Sequence, residues 1–136
     1  MTKHDRVALD TGPFALHFGN DPQVRELMNG ILKGVTEAHT CEINLAEHFY
    51  KTCEKSGREM AIITTSSIRN IPIKVHSPDE SLTFEAGSLK CKYRGKLSLA
   101  DSYVLAVAKM HNCRLFTTDH FIKEINFVPT TLLKVP

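Results

Sequence analysis

The sequence has no closely spaced pair of cysteines and no metalloprotease motif. Its four cysteines, Cys41, Cys53, Cys91 and Cys113, stand far apart, which excludes a zinc-binding cysteine pair and a redox CxxC motif. We expect them to be reduced and to pack as small buried hydrophobic side chains. The seven histidines are scattered along the chain and never form an HExxH motif.

The sequence also lacks an excess of charge and a long apolar run. Lys and Arg number 17 against 15 Asp and Glu, which gives a formal net charge of +2. So weak a bias neither demands nor excludes a nucleic-acid partner. No apolar segment is long enough for a signal peptide or a membrane span. We therefore expect a soluble, cytoplasmic protein that has no membrane partner.

What the sequence does contain is an alternation of short apolar segments and helical patterns. With 136 residues, 42% of them hydrophobic, the chain can bury a core as one domain over residues 1–136. Short apolar segments predict five strands, at residues 7–9, 35–43, 71–75, 114–117 and 131–135, with helices between them. This order predicts an α/β protein with a mostly parallel sheet and a closing edge strand.

Residues 97–121 are the segment around which the rest of the chain is organised. Ser98 is a typical helix N-cap, and Asp101, three residues later, completes a capping-box pattern. Apolar residues then occupy most of the circumference of the predicted helix, which predicts that the helix is buried. A short strand follows at residues 114–117, and Asp119 comes directly after it. Ligands in such parallel sheets bind at the carboxyl ends of the strands.

Two further acids are predicted at the same edge. Asp10 ends the first strand, and Glu47 follows Asn44, which we predict to cap the next helix. If the strands that end at Asp10 and near Asp119 are neighbours, their backbones lie about 4.8 Å apart and the side chains converge. Carboxylate oxygens suit Mg²⁺ or Mn²⁺, which would activate water for phosphodiester hydrolysis. Each acid could instead only cap its own helix.

These segments together resemble a known family. The opening ALDTGPF, the helix start NLAEHFYK and the pair LSLADSYVLAVA and LFTTD are similar to PIN domains, and among them to the small VapC-type toxins. The resemblance covers essentially the full length. It implies a three-layer α/β/α fold and an Mg²⁺- or Mn²⁺-dependent ribonuclease whose acid quartet binds the metal. By position in the motifs, that quartet is Asp10, Glu47, Asp101 and Asp119.

The resemblance also implies neighbours of the quartet and partners of the chain. Thr117 matches a hydroxyl residue beside the last acid, and Thr11 stands where the family often has Ser or Thr. Glu42 is an alternative to Glu47, which we favour because LAE follows the family's small-residue-then-Glu pattern. The implied partners are RNA, a second copy of the chain in a homodimer and, for a toxin, an antitoxin whose tail covers the active site.

A group of basic residues precedes the organising segment. We name as the basic cluster Lys90, Lys92, Arg94 and Lys96. The basic cluster could contact RNA phosphates beside the acids, or it could be the solvated end of a helix.

Several functions remain open at this point. The protein could be a toxin, an RNA-processing nuclease outside a toxin system or an inactive PIN-fold interaction module. Haloacid-dehalogenase-type phosphatases fit poorly, because the first strand is followed by Asp10-Thr11-Gly12 and not by a DxD motif.

Overall fold

The computed structural model describes residues 5–136, which form five strands and seven α-helices. The strands are β1 (Arg6–Leu9), β2 (Glu37–Cys41), β3 (Ile73–His76), β4 (Arg114–Thr117) and β5 (Thr130–Leu132). The helices are α1 (Thr11–Phe18), α2 (Arg25–Leu32), α3 (Glu42–Ser56), α4 (Arg58–Arg69), α5 (Glu80–Lys92), α6 (Leu99–Met110) and α7 (His120–Ile125), and a short 3₁₀ turn at Pro22–Val24 precedes α2.

All five strands pair in parallel, in the order β3-β2-β1-β4-β5. Successive side chains of a strand point to opposite faces, and those of β1 do so here. Ala8 packs into one apolar cluster with α5, α6 and α7, whereas Val7 and Leu9 pack into another with α1, α2 and α4. The predicted α/β fold with a parallel sheet between two helical layers is confirmed.

Helix α6 is the buried helix that the sequence predicts. Six of its apolar residues are buried, namely Ala100, Val104, Leu105, Ala106, Val107 and Ala108. The capping box is also confirmed, because Ser98 accepts a hydrogen bond from the Asp101 N–H and Asp101 accepts one from the Ser98 N–H. Both ends of the helix are more exposed than the pattern indicates, at Leu99 and Met110.

The second strand and the helix after it differ from prediction. Strand β2 ends at Cys41 instead of residue 43, and α3 begins at Glu42. Asn44 is therefore not a cap: it lies in the first turn of α3, fully buried, and its side-chain N–H₂ donates to the carbonyl of Ala100 at 3.2 Å. The amide binds a neighbouring helix and not its own turn. As a consequence Glu47 lies in the second turn of α3.

The cysteines divide between the core and the surface. Cys41 and Cys113 are buried as expected, but Cys53 is half-buried and Cys91 is exposed on α5, so the prediction is wrong for these two. All four are free thiols. Among the described residues, no helix combines the length and the apolar character that crossing a bilayer would require.

Candidate active site

Asp10 lies at the carboxyl end of the central strand, where it caps α1. Its Oδ1 accepts a hydrogen bond from the Thr11 N–H at 2.8 Å, and its Oδ2 accepts one from the Thr117 hydroxyl at 2.8 Å. Only 4% of the residue is exposed. Burial raises the pKa of Asp10 from 3.8 to about 7, and the negative charges of Asp101 and Glu47 add to the rise against the two hydrogen bonds.

Thr117 connects Asp10 to the acid of the next strand. Strands β1 and β4 are neighbours, and the Asp10 N–H donates to the carbonyl of Phe116 at 3.2 Å. The Thr117 hydroxyl donates to Asp10 and accepts a hydrogen bond from the Asp119 N–H at 3.0 Å. The buried hydroxyl thus fixes the two acids relative to each other.

Asp119 caps α7, and Asp101 belongs to the capping box that begins α6. Asp119 accepts hydrogen bonds from the N–H groups of Phe121 and Ile122 at the start of α7. Burial raises the pKa of Asp101, and the charges of Asp119 and Glu47 raise it further, against the hydrogen bonds from Ser98.

Glu47 reaches the same edge from inside α3. Its Oε1 accepts a hydrogen bond from the Thr11 hydroxyl at 3.0 Å, and its Oε2 lies 3.2 Å from the Lys51 ammonium. Glu47 is 9% exposed. Sequence reasoning missed Lys51, although its spacing of four residues from Glu47 on a helix is that of a typical ion pair.

Glu42 lies elsewhere. Its carboxylate pairs with the Arg69 guanidinium of α4, and 42% of the side chain is exposed. The charge of Glu47 adds to the raised pKa of both Asp10 and Asp101. The geometry therefore favours Glu47 as the fourth member of the group.

The four acids form an open group at the carboxyl edge. Among the described residues, no three of them present oxygen atoms that all lie within 4.8 Å of one another. Their donors are all carboxylate oxygens, and the buried Asn44 Oδ1 nearby also lacks a hydrogen-bond partner among the described residues. Mg²⁺ commonly uses one or two carboxylates and keeps several waters, so an open group of oxygen donors fits such an ion.

Capping explains three of these acids but not the fourth. Asp10 and Asp119 cap helices, and Asp101 takes part in a capping box, as the alternative interpretation of the sequence requires. Glu47 is in the second turn of α3, where no free N–H groups remain to be capped. Its burial beside Asp10 is thus unrelated to the start of its helix.

The basic cluster lies at the end of α5 and in the loop before α6. Three of its members are exposed and Lys90 is half-buried. The Lys96 ammonium lies 5.5 Å from the centre of the Phe121 ring, two residues after Asp119. Of the basic cluster, Lys96 therefore lies against the helix that Asp119 caps.

A groove of about 730 Å³ adjoins the acids on the other side, between α1, α3 and α4. Thr11 and Lys51, the two partners of Glu47, lie on its wall. Phe18, Met60 and Ile63 contribute large apolar side chains to a lining that is otherwise mostly polar. Ile63 is 56% exposed, so the groove offers an apolar surface next to the acids.

Comparison with known proteins identifies the family. The family model of the PIN domain matches residues 7–128. The chain belongs to the PIN domain family. A comparison with curated proteins gives no match.

Several solved structures share this PIN fold. VapBC from Salmonella typhimurium, bound to DNA, superposes with a TM-score of 0.74 at 16% identity and covers 93% of this chain and 97% of that one. VapBC2 from Rickettsia felis, bound to a promoter DNA fragment, gives 0.72 at 17% identity, with coverage of 93% and 98%. VapC20 from Mycobacterium tuberculosis, a toxin that cleaves the sarcin-ricin loop, gives 0.68 at 17% identity, with coverage of 90% and 96%.

Proposed function

We propose that this PIN domain is a divalent-metal-dependent endoribonuclease that hydrolyses RNA phosphodiesters. The observation that carries the proposal is the placement of Glu47, a buried carboxylate without a capping role beside Asp10 and Thr11. The charges of neighbouring carboxylates add to the raised pKa of Asp10 and of Asp101, and such repulsion between carboxylates favours a bound cation. Membership of the PIN family and the fold shared with an RNA-cleaving toxin support RNA as the substrate.

In this proposal Asp10, Glu47, Asp101 and Asp119 would hold Mg²⁺ or Mn²⁺. Such an ion supplies a more acidic bound water and charge stabilisation at a phosphate oxygen. Thr117 positions Asp10 and Asp119 through its two hydrogen bonds. Thr11 and Lys51 orient the two oxygens of Glu47, and the basic cluster attracts the RNA backbone.

We further propose that the nuclease is the toxin of a toxin–antitoxin pair. The VapBC neighbours are complexes of this kind. The groove between α1, α3 and α4 offers a partner segment an apolar surface, and a segment bound there would cover the residues that orient Glu47. We also propose a homodimer, which light scattering of the purified chain would detect.

The test is cleavage of a mixed RNA pool with Mg²⁺, Mn²⁺ or chelator. The parent should cleave only with an added ion. Removing an outer partner of a metal ligand costs up to about 100-fold in activity. Asp101→Asn changes a proposed ligand itself, so its cleavage rate should fall by more than that. Circular dichroism checks that the variant is folded. An Asp101→Asn protein that cleaves as fast as the parent would refute the assignment, and a parent that never cleaves would favour the interaction module.

A matched pair of variants tests the choice of the fourth acid. Glu47→Gln and Glu42→Gln change the same residue type on the same helix, one beside Asp10 and one paired with Arg69 on the surface. We expect Glu47→Gln to abolish cleavage and Glu42→Gln to retain it. The opposite result would assign the site to Glu42. Growth arrest on expression of the parent but not of Asp101→Asn would support the toxin role.

A further inference from the structure

Three histidines from separate parts of the chain meet on the face of the sheet against which α6 packs. They lie at the end of α6 that is opposite to Asp101. His39 lies in the middle of β2, His76 ends β3, and His111 directly follows α6. One ring nitrogen of each lies within 4.8 Å of the corresponding nitrogens of the other two. His39 is 2% exposed, while His76 and His111 are half-buried. The group is therefore anchored in the sheet and open on one side.

His39 and His76 point ring nitrogens at each other. His39 Nδ1 lies 2.8 Å from His76 Nε2, and the two rings are 8° from parallel with centres 5.1 Å apart. This combination places the rings edge to edge in nearly one plane. A contact of this length is a hydrogen bond through one proton, so an ion bound to both nitrogens would replace that proton.

Glu37 fixes which nitrogen of His39 is available. Glu37 Oε2 lies 2.7 Å from His39 Nε2, and since an ionised carboxylate can only accept, the proton lies on Nε2. In the neutral ring His39 Nδ1 carries the lone pair, and it accepts the hydrogen bond that the His76 Nε2–H donates. A carboxylate on the far nitrogen of a histidine is the usual outer partner of a metal-binding imidazole, because it orients the ring and raises its basicity.

His111 completes the group from above. Its ring lies over both others, with centres 4.8 Å from His39 and 4.3 Å from His76. Burial lowers the pKa of His76 and of His111. Unprotonated imidazole is the form that binds metal ions.

We propose that His39, His76 and His111 form a Zn²⁺ site, with Glu37 as the outer partner of His39 and a fourth position open to water. Imidazole nitrogens suit Zn²⁺, whereas Mg²⁺ requires oxygen donors. Tetrahedral Zn²⁺ with Zn–N distances of about 2.0–2.1 Å needs its nitrogens about 3.3 Å apart. The His39–His76 pair would open by about 0.5 Å to reach that spacing, and the half-buried His111 ring would turn inward at the free end of its helix.

The histidine site is separate from the acids. His111 follows Asp101 by ten residues and lies at the other end of α6, a separation of about 15 Å at 1.5 Å per residue. An ion held there would join the edge strand β3 to β2 and to the end of α6. This role is structural and does not depend on the proposed nuclease activity.

The test is calorimetric titration of Zn²⁺ into chelator-stripped protein that carries no affinity tag. The Asp101→Asn background with excess Mg²⁺ suppresses binding at the acids. We expect one Zn²⁺ per chain, an affinity lowered at least tenfold by His76→Gln or His111→Gln, and a loss of about 10- to 100-fold for Glu37→Gln. The melting temperature should rise with Zn²⁺ in this background and not in the His111→Gln protein.

The matched control is His17→Gln, since His17 is also half-buried but lies on α1 beside Phe18. This variant should bind Zn²⁺ as its background does. Co²⁺ provides a second readout, because tetrahedral Co²⁺ absorbs strongly in the visible range. This spectrum is measured on the protein that retains all three histidines, so it tests the site even if one histidine variant folds poorly. The proposal is overturned if no Zn²⁺ binds, or if His76→Gln and His111→Gln bind it as tightly as His17→Gln.

Discussion

Replacing Asp10 by asparagine should stabilise the metal-free protein at alkaline pH. Asp10 is buried, and its pKa rises from 3.8 to about 7 through burial and the charges of Asp101 and Glu47. One pKa unit corresponds to about 1.36 kcal/mol, so ionised Asp10 costs about 4 kcal/mol of folding free energy above pH 7 when no cation is bound. Asparagine removes this cost because it carries no charge.

The hydrogen bonds offset part of that gain. The asparagine carbonyl can still accept from the Thr11 N–H, but the bond that the Thr117 hydroxyl donates to a charged oxygen is lost. Hydrogen bonds to charged groups contribute about 1.5–3 kcal/mol. We therefore expect Asp10→Asn to be about 1–3 kcal/mol more stable than the parent at pH 8 in the presence of chelator.

The gain should vary with pH in one direction. A carboxyl whose pKa is higher in the folded chain binds more protons when folded, so its contribution to stability is complete below pH 4 and is lost as the pH rises to about 7. The advantage of Asp10→Asn should thus grow between pH 4 and pH 7 and be constant above. Added Mg²⁺ should stabilise the parent and reduce the difference, because a cation offsets the charge.

Urea unfolding at several pH values, with chelator or with Mg²⁺, measures these differences. The control is Asp79→Asn, which changes an exposed capping aspartate at the start of α5 and removes no charge from the acid group. Its stability relative to the parent should change little over the same range. A difference between Asp10→Asn and the parent that is independent of pH would refute the argument from the buried charge.

Two other predictions follow from the same edge. Thr117→Val removes a buried hydroxyl that binds Asp10 and Asp119, so the free energy of unfolding should fall by about 1–3 kcal/mol in urea and cleavage should fall about 10- to 100-fold. Neutralising all four residues of the basic cluster should weaken RNA binding and make it less dependent on salt concentration. An unchanged dependence on salt would show that the basic cluster is only the solvated end of a helix.

Local sequence information was enough for the parts of the site that form within one segment. Ser98 and Asp101 make a capping box from four consecutive residues, and Asp119 follows a strand whose bounds match the prediction. These features depend on short-range patterns. Whether β1 and β4 are neighbours stayed a condition at the sequence level, and the structure pairs them, which brings Asp10 to Asp119.

The parts that depend on contacts between distant segments could not be predicted in this way. Asparagine is a typical capping residue, but the side-chain N–H₂ of Asn44 donates to the carbonyl of Ala100 in α6. Only the packed structure reveals that contact. The group of three histidines could not be predicted, because His39, His76 and His111 come from separate parts of the chain. A partial signal existed in Glu37 and His39, which share one face of β2, but the strand order was needed to place His76 beside them.

The two ends of α6 should act independently, and this can be measured. The acids offer oxygen ligands and the histidines offer nitrogen, so Mg²⁺ and Zn²⁺ should separate between them. The about 15 Å between Asp101 and His111 along the helix exceeds the screening length of about 8 Å at physiological salt. We therefore expect His111→Gln to retain the Mg²⁺-dependent cleavage of the parent while it loses Zn²⁺ binding. If His111→Gln reduced cleavage as strongly as Asp101→Asn, the histidines would have to contribute to the nuclease site itself.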